Sequence, residues 1–188
     1  GNIVLMASHF FTGEFEIGIR YVFPFLAFAL GFVITDQLHS RLKITGVFHW
    51  RHVILAIEFC LLVLVAFLPM NETGNRVANV MSSFACAMQV QAFRKVNGYA
   101  YASTMCIGNV RSGAEAFSAF LRTGDLKNLT QAWQYFLITF VFFLGAGLGS
   151  VVTKNRSHAQ YTIFIAAGLL LFSFILMSVP RFEKDLEA

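Results

Sequence analysis

The chain has 188 residues, of which 57% are hydrophobic and 13% charged, with a formal net charge of +4. A water-soluble domain carries about a quarter charged residues, so this composition excludes an ordinary soluble fold, and no basic tract with interleaved aromatics points to nucleic acid. The 22 Phe are spread along the whole chain, as lipid-facing surface requires, and the class is an integral membrane protein.

The chain opens with GNIVLMASHFF, Gly1 to Phe11, without an initiator Met, a basic n-region or a cleavage-site pattern. It does not read as a signal peptide. Four stretches then meet the requirement of roughly 20 mostly apolar residues for a spanning helix: Ile17 to Leu38, His52 to Pro69, Gln134 to Val152 and Gln160 to Val179. A fifth, Val77 to Phe93, is long enough but rich in small and polar residues, which suits the inside of a helix bundle. The segment between the first two spans holds Arg41, Lys43 and Arg51, the densest basic cluster, and is placed in the cytoplasm. Arg94 and Lys95, two crossings later, fall on the same side. Trp50 and Trp133 each stand at the start of a span, where indole rings anchor among headgroups.

Between the fifth span and the last two lies NGYAYASTMCIGNVRSGAEAFSAFL, Asn97 to Leu121, a glycine-broken polar interruption. Its Gly108-Asn109 pair repeats Gly1-Asn2. Leu30-Gly31 likewise matches Leu144-Gly145, and Phe67-Leu68-Pro69 matches Ser178-Val179-Pro180, at offsets of 107, 114 and 111. The expected fold is an all-α polytopic bundle of two sequence-related repeats, residues 1–69 and 75–180, followed by a polar tail, 181–188. Each copy reads as broken motif, span, span. The partner of Val77 to Phe93 would precede Gly1, so an upstream helix is expected. If the motif helix lies at the interface or re-enters, each copy has three spans and the copies are inverted. If it crosses, each has four and they are parallel. Inversion is the favoured arrangement.

AMQVQAFRKVNG followed by ASTMCIGN, with the earlier GN-plus-apolar run, resembles the YoaK-like family of uncharacterised bacterial multi-pass membrane proteins. In that family a Thr-Gly-Asn motif stands in the first half, with a Gln-containing helix and a Thr-rich break in the second. Gly1-Asn2, Gln89 or Gln91, and Ser103-Thr104 take those places here. Ile107 stands where a Thr is expected, and Ala92 where an Asn is usual. The resemblance implies a multi-pass protein of the bacterial cytoplasmic membrane and no defined chemistry. A weaker likeness, in GFVITDQLHSRLK from Gly31 to Lys43, is to the loop between the second and third helices of major-facilitator transporters, with the spacing off by a residue.

Glu58 lies near the middle of an apolar span, where an acidic residue costs roughly 2.5–3.5 kcal/mol on insertion scales. It must pair, line water or stay protonated: either a proton-coupling carboxylate or a structural hydrogen bond to a neighbouring helix. Arg111 and Glu115, one helical turn apart, head a polar stripe with Ser118 and Arg122. Val110, Ala114, Phe117 and Leu121 form the opposite stripe. Such a helix either lies on the membrane surface with its charges in water or turns its polar stripe to a cavity between the repeats. Asn2 and Asn109 are placed at the starts of broken helices, where free N–H groups attract anions, unless Gly-Asn simply supplies a turn. Gln89 and Gln91 cannot face the same way on one helix.

Cys60, Cys86 and Cys106 lack CxxC spacing and read as small apolar residues, and His49 with His52 has no third ligand nearby. No metal, cofactor or nucleophile–base pair is expected, hence no enzyme. The function expected is a secondary transporter for a small solute, proton-coupled through Glu58, with Asn2, Asn109, Arg111, Glu115, Gln89 and Gln91 as substrate-binding candidates. The alternative is a non-transporting membrane scaffold or assembly protein. Expected partners are the lipid bilayer, the solute and a second copy of the chain.

Overall fold

The computed structural model describes residues 2–45, 50–96, 99–101, 105–154 and 159–178. Their order is α1 (Asn2–Phe11), α2 (Phe15–Thr45), α3 (Trp50–Ala66), α4 (Glu72–Ala92), β1 (Lys95–Val96), β2 (Tyr99–Ala100), α5 (Cys106–Thr123), α6 (Leu126–Thr153) and α7 (Ala159–Met177). The class is all-α apart from the short hairpin. Apart from a few end residues, the described parts of all five expected spans fall on helices, and Val179 lies outside the described residues. Two of these helices are long and apolar enough to cross a membrane, α2 over Phe15–Leu42 and α6 over Leu126–Thr153. The apolar part of α7 is shorter, and α3 has 17 residues.

Helix ends depart from the apolar runs for local reasons. Pro69 disfavours helical geometry in the residue before it, so α3 stops at Ala66, short of the expected Pro69. Phe67 and Leu68 then donate to the carbonyls of Leu64 and Val65, a tightened last turn. α4 starts ahead of Val77 because the Asn71 side chain accepts from the Gly74 N–H at 2.7 Å, and α6 starts ahead of Gln134 because Asp125 accepts from the Lys127 N–H at 2.9 Å. Both are side-chain caps that satisfy an otherwise orphaned donor. At the far end of α5, Gly124 closes the helix with φ of 69°, a left-handed position that glycine adopts without strain.

The chain divides into two compact units. The first comprises Gly1–Ala92 with Ile163–Leu176 of α7, and the second the chain from Phe93 to Thr162 and from Met177 onward. In the first unit α2 and α4 run side by side in the same direction, and three ties fix their register. Arg20 pairs with Glu72 at 2.8 Å. Gly31 lies against Phe84 and Ala87. The Gln91 amide donates to the Asp36 carboxylate at 3.3 Å. Arg20 and Asp36 are separated by about 24 Å along the helix, so the polar ties bracket a stretch nearly as thick as the hydrocarbon core, about 30 Å. α3 runs back antiparallel to both and packs mainly on α4, with its Arg51 Nε donating to the Ala92 carbonyl at 3.3 Å and Trp50 against His39 of α2, rings 4.3 Å apart. α7 runs antiparallel to α3, with Phe164 edge-on to Phe67 and Phe174 edge-on to His52.

In the second unit α5 packs on α6 through small residues. A Cβ on Gly113 would meet Tyr135 and Phe136 at 3.2 Å, and Ala116 and Ala132 are buried. The hairpin pairs Lys95 with Ala100 and Val96 with Tyr99. Tyr135 of α6 holds it in place by donating its hydroxyl to the Ala100 carbonyl at 2.7 Å.

Candidate functional site

α3 turns one face inward, carrying Ile54, Leu55 and Glu58 at 0, 2 and 1% exposure. Among the charged groups of the described residues Glu58 is the buried one. Its Oε1 is enclosed and has no hydrogen-bond partner. Thr35 on α2 is fully buried, and its Oγ1 is likewise without a partner. Each such orphaned polar atom costs about 1–3 kcal/mol, and an isolated charged carboxylate would cost far more. The packing around Glu58 encloses a carboxyl oxygen to which the described residues give no hydrogen bond.

The register places these groups. Counting back along the α2–α3 pair from the His39–Trp50 contact sets Gly31 level with Glu58, and Thr35 one turn nearer the His39 end. Gly31 in turn meets Ala87 and Phe84 of α4. A Cβ at Gly31 would stand 2.7 Å from the Phe84 carbonyl oxygen, so α2 and α4 approach at backbone distance at the level of the acid. Beyond Thr35, toward the Arg51 end, come Asp36 and Gln91. Gln91 thus turns to α2, and Gln89, two residues away, does not share its face.

The remaining sequence candidates separate. Asn2 is the first residue of α1, and its side chain lies outside the described residues, as do Gly1, Ser103, Thr104 and His49. Gly108-Asn109 lies inside the first turns of α5, which begins at Cys106. It neither makes a turn nor precedes the helix, because the Asn109 N–H is already spent on the Met105 carbonyl. Asn109 is 3% exposed on the face of Gly113 and Ala116, toward α6. Arg111 and Glu115 lie on another face, bonded to each other at 2.9 Å with 79 and 64% of their side chains exposed. Val110, Phe117 and Leu121 are exposed as well, so α5 has a polar face, an apolar face and a narrow packing face between them. The second unit also has a cleft lined by Tyr99, Tyr101, Gln134, Tyr135 and Ile138.

Sequence reasoning reached Glu58 and Gln91 but passed over Thr35 and Asp36. A Thr in an apolar run is ordinary, and Asp36, near the end of the expected span Ile17 to Leu38, reads as a helix-end charge, whereas α2 continues through Thr45. Among the described residues no group of three His, Cys, Asp or Glu is placed to hold a metal ion. The model of the family described as Protein of unknown function (DUF1275) matches residues 1–176, and the chain belongs to that family. No curated protein and no solved structure matches it.

Proposed function

We propose that this DUF1275 member is a multi-pass protein of the bacterial cytoplasmic membrane that moves a small solute, with Glu58 carrying the coupled proton. The observation behind the reading is a carboxyl at 1% exposure in mid-helix with an unpartnered oxygen. Intramembrane acids of this kind are expensive and mark ion or substrate pathways. The Gln-containing helix supports it further, since Gln91 reaches the α2 end of the same polar set. The likeness to YoaK-like proteins and the two-repeat architecture belong to this reading. In its favour, each half of the chain has a short helix folded onto a long one, Phe10 against Gly18 in one and Tyr135 against Gly113 in the other.

A second reading, a scaffold or assembly protein, draws on α5. Its charged pair faces outward and its apolar stripe is exposed, as on a helix lying at a membrane surface or against a partner.

Transport by proteoliposomes loaded with a pH-sensitive dye separates the two. Amino acids, sugars, nucleobases and small organic anions are added in turn across an imposed pH gradient. A transporter moves protons with one class of solute. Glu58→Gln keeps the shape and the hydrogen-bonding capacity but cannot ionise, so it should abolish pH-driven accumulation while exchange down the solute gradient persists. Flux with unchanged pH dependence in that variant would remove Glu58 from the mechanism. Absence of flux for every class would leave the scaffold.

A further inference from the structure

We propose that protons reach Glu58 from the His39–Arg51 end of the first unit, through the Thr35 hydroxyl, with the Asp36–Gln91 pair at the mouth. The inference rests on the reading of Glu58 as a proton carrier and adds the route. Glu58 and Thr35 are the buried polar pair of this unit whose oxygens lack partners. They face the same α2–α3–α4 packing one helical turn apart in level. One turn is about 5.4 Å along the axis, and water bridging the two oxygens is part of the proposed route. From Thr35 the next residue along α2 is Asp36, an exposed carboxylate held by Gln91 at 3.3 Å. Toward the opposite end α2 offers only apolar side chains between Tyr21 and Thr35, and α3 only Cys60 beyond Glu58. Polar groups on these two helices therefore approach the acid from one side.

The chemistry balances. A hydroxyl both donates and accepts. Oγ1 accepts a proton from the Asp36 side and releases its own toward Glu58, ending as the same hydroxyl. Glu58 passes from carboxylate to acid, and one positive charge has moved inward. The ionisable groups around this path are Cys86 on α4, Asp36 and His39 on α2, and Arg51 and His52 on α3. Ile163–Leu176 of α7 contributes none, and His9 of α1 is tied to Glu14 at 2.5 Å.

Infrared spectroscopy of the protein in liposomes tests the route without any solute. The band of the protonated Glu58 carboxyl is identified by its loss in Glu58→Gln, and its shift on transfer to heavy water reports proton exchange. Thr35→Val removes a hydroxyl that has no partner on the helices, so the fold should hold, with melting temperature as the check. In that variant exchange should slow by about tenfold or more, the order of a lost relay group. Thr35→Ser should exchange like the parent, and Asp36→Asn should slow it in the same direction. Unchanged exchange in Thr35→Val, or slowing in Ser82→Ala or Ser83→Ala of α4 instead, overturns the route while leaving Glu58 as carrier. Absence of an acid band in the parent overturns the carrier reading itself.

Discussion

Glu72 joins two cations through one oxygen: Arg76, one turn along α4 at 2.7 Å, and Arg20 of α2 at 2.8 Å. The hydrogen bond from Arg76, then the charge of Arg20, hold its carboxyl below the usual carboxylate range. A carboxyl with a lowered folded value stabilises the fold at pH above its unfolded value, and the contribution is lost as pH falls through the folded one. Melting of the detergent-solubilised protein should therefore show the parent above Glu72→Gln at neutral pH, with the gap closing as the solution is acidified below the ordinary carboxylate range. The site is solvent-exposed, so added salt should narrow the gap too. A gap independent of pH would mean that Glu72 acts through packing or the helix dipole. At this scale the chain was legible where a residue contradicts its surroundings. Glu58 stands out because an acid in an apolar run is costly. Thr35 did not, since its hydroxyl becomes conspicuous only when burial and a missing partner are known.

The helices themselves were legible from apolar length, and their pairing was not. Leu30-Gly31 and Leu144-Gly145 look equivalent in sequence, yet only the first glycine is a contact point. An added Cβ at Gly31 would sit 2.7 Å from the Phe84 carbonyl oxygen and 2.8 Å from the Ala87 Cβ. At Gly145 nothing lies within 4 Å. Gly31→Ala must push α2 from α4, an overpacking cost of about 1–3 kcal/mol. Gly145→Ala should be neutral or gain up to about 1 kcal/mol from helix propensity. The melting temperatures of the two variants should fall on opposite sides of the parent or, at the least, well apart. Equal effects would mean that the α2–α4 approach is looser than 2.7 Å implies. The hairpin was missed for another reason. Asn97-Gly98, a strong hairpin signal between two short β-compatible pairs, sits in a chain whose apolar runs all read as helix, and strands of two residues leave no periodicity to detect.

At the scale of the whole molecule the proposed membrane reading admits two arrangements, and α5 decides between them. α2 has 31 residues, about 46 Å of helix, so in the proposed membrane it would outrun a 30 Å core and carry Arg41 clear of the lipid. Lys154, at the end of α6, is exposed in the same way. If α2, α3 and α4 cross and α5 lies along the interface, Arg41 and Lys95 share one side and Lys154 lies on the other. The repeats are then inverted. If α5 crosses, all three share a side and the repeats are parallel. The charges on α5 favour the first arrangement, because Arg111 and Glu115 are 79 and 64% exposed and a charge facing lipid mid-bilayer is costly. Three single-cysteine variants, Arg41→Cys, Lys95→Cys and Lys154→Cys, built with Cys60, Cys86 and Cys106 replaced by Ala, give the answer through a membrane-impermeant maleimide applied to intact cells. The expected result is labelling of Lys154→Cys alone from outside, with the other two reacting only after permeabilisation. That outcome also fixes the basic cluster of Arg41, Lys43 and Arg51 in the cytoplasm. The mirror result would keep the inversion and reverse the orientation. Uniform protection of all three would make α5 a spanning helix, and its charged pair would then have to line a path through the membrane.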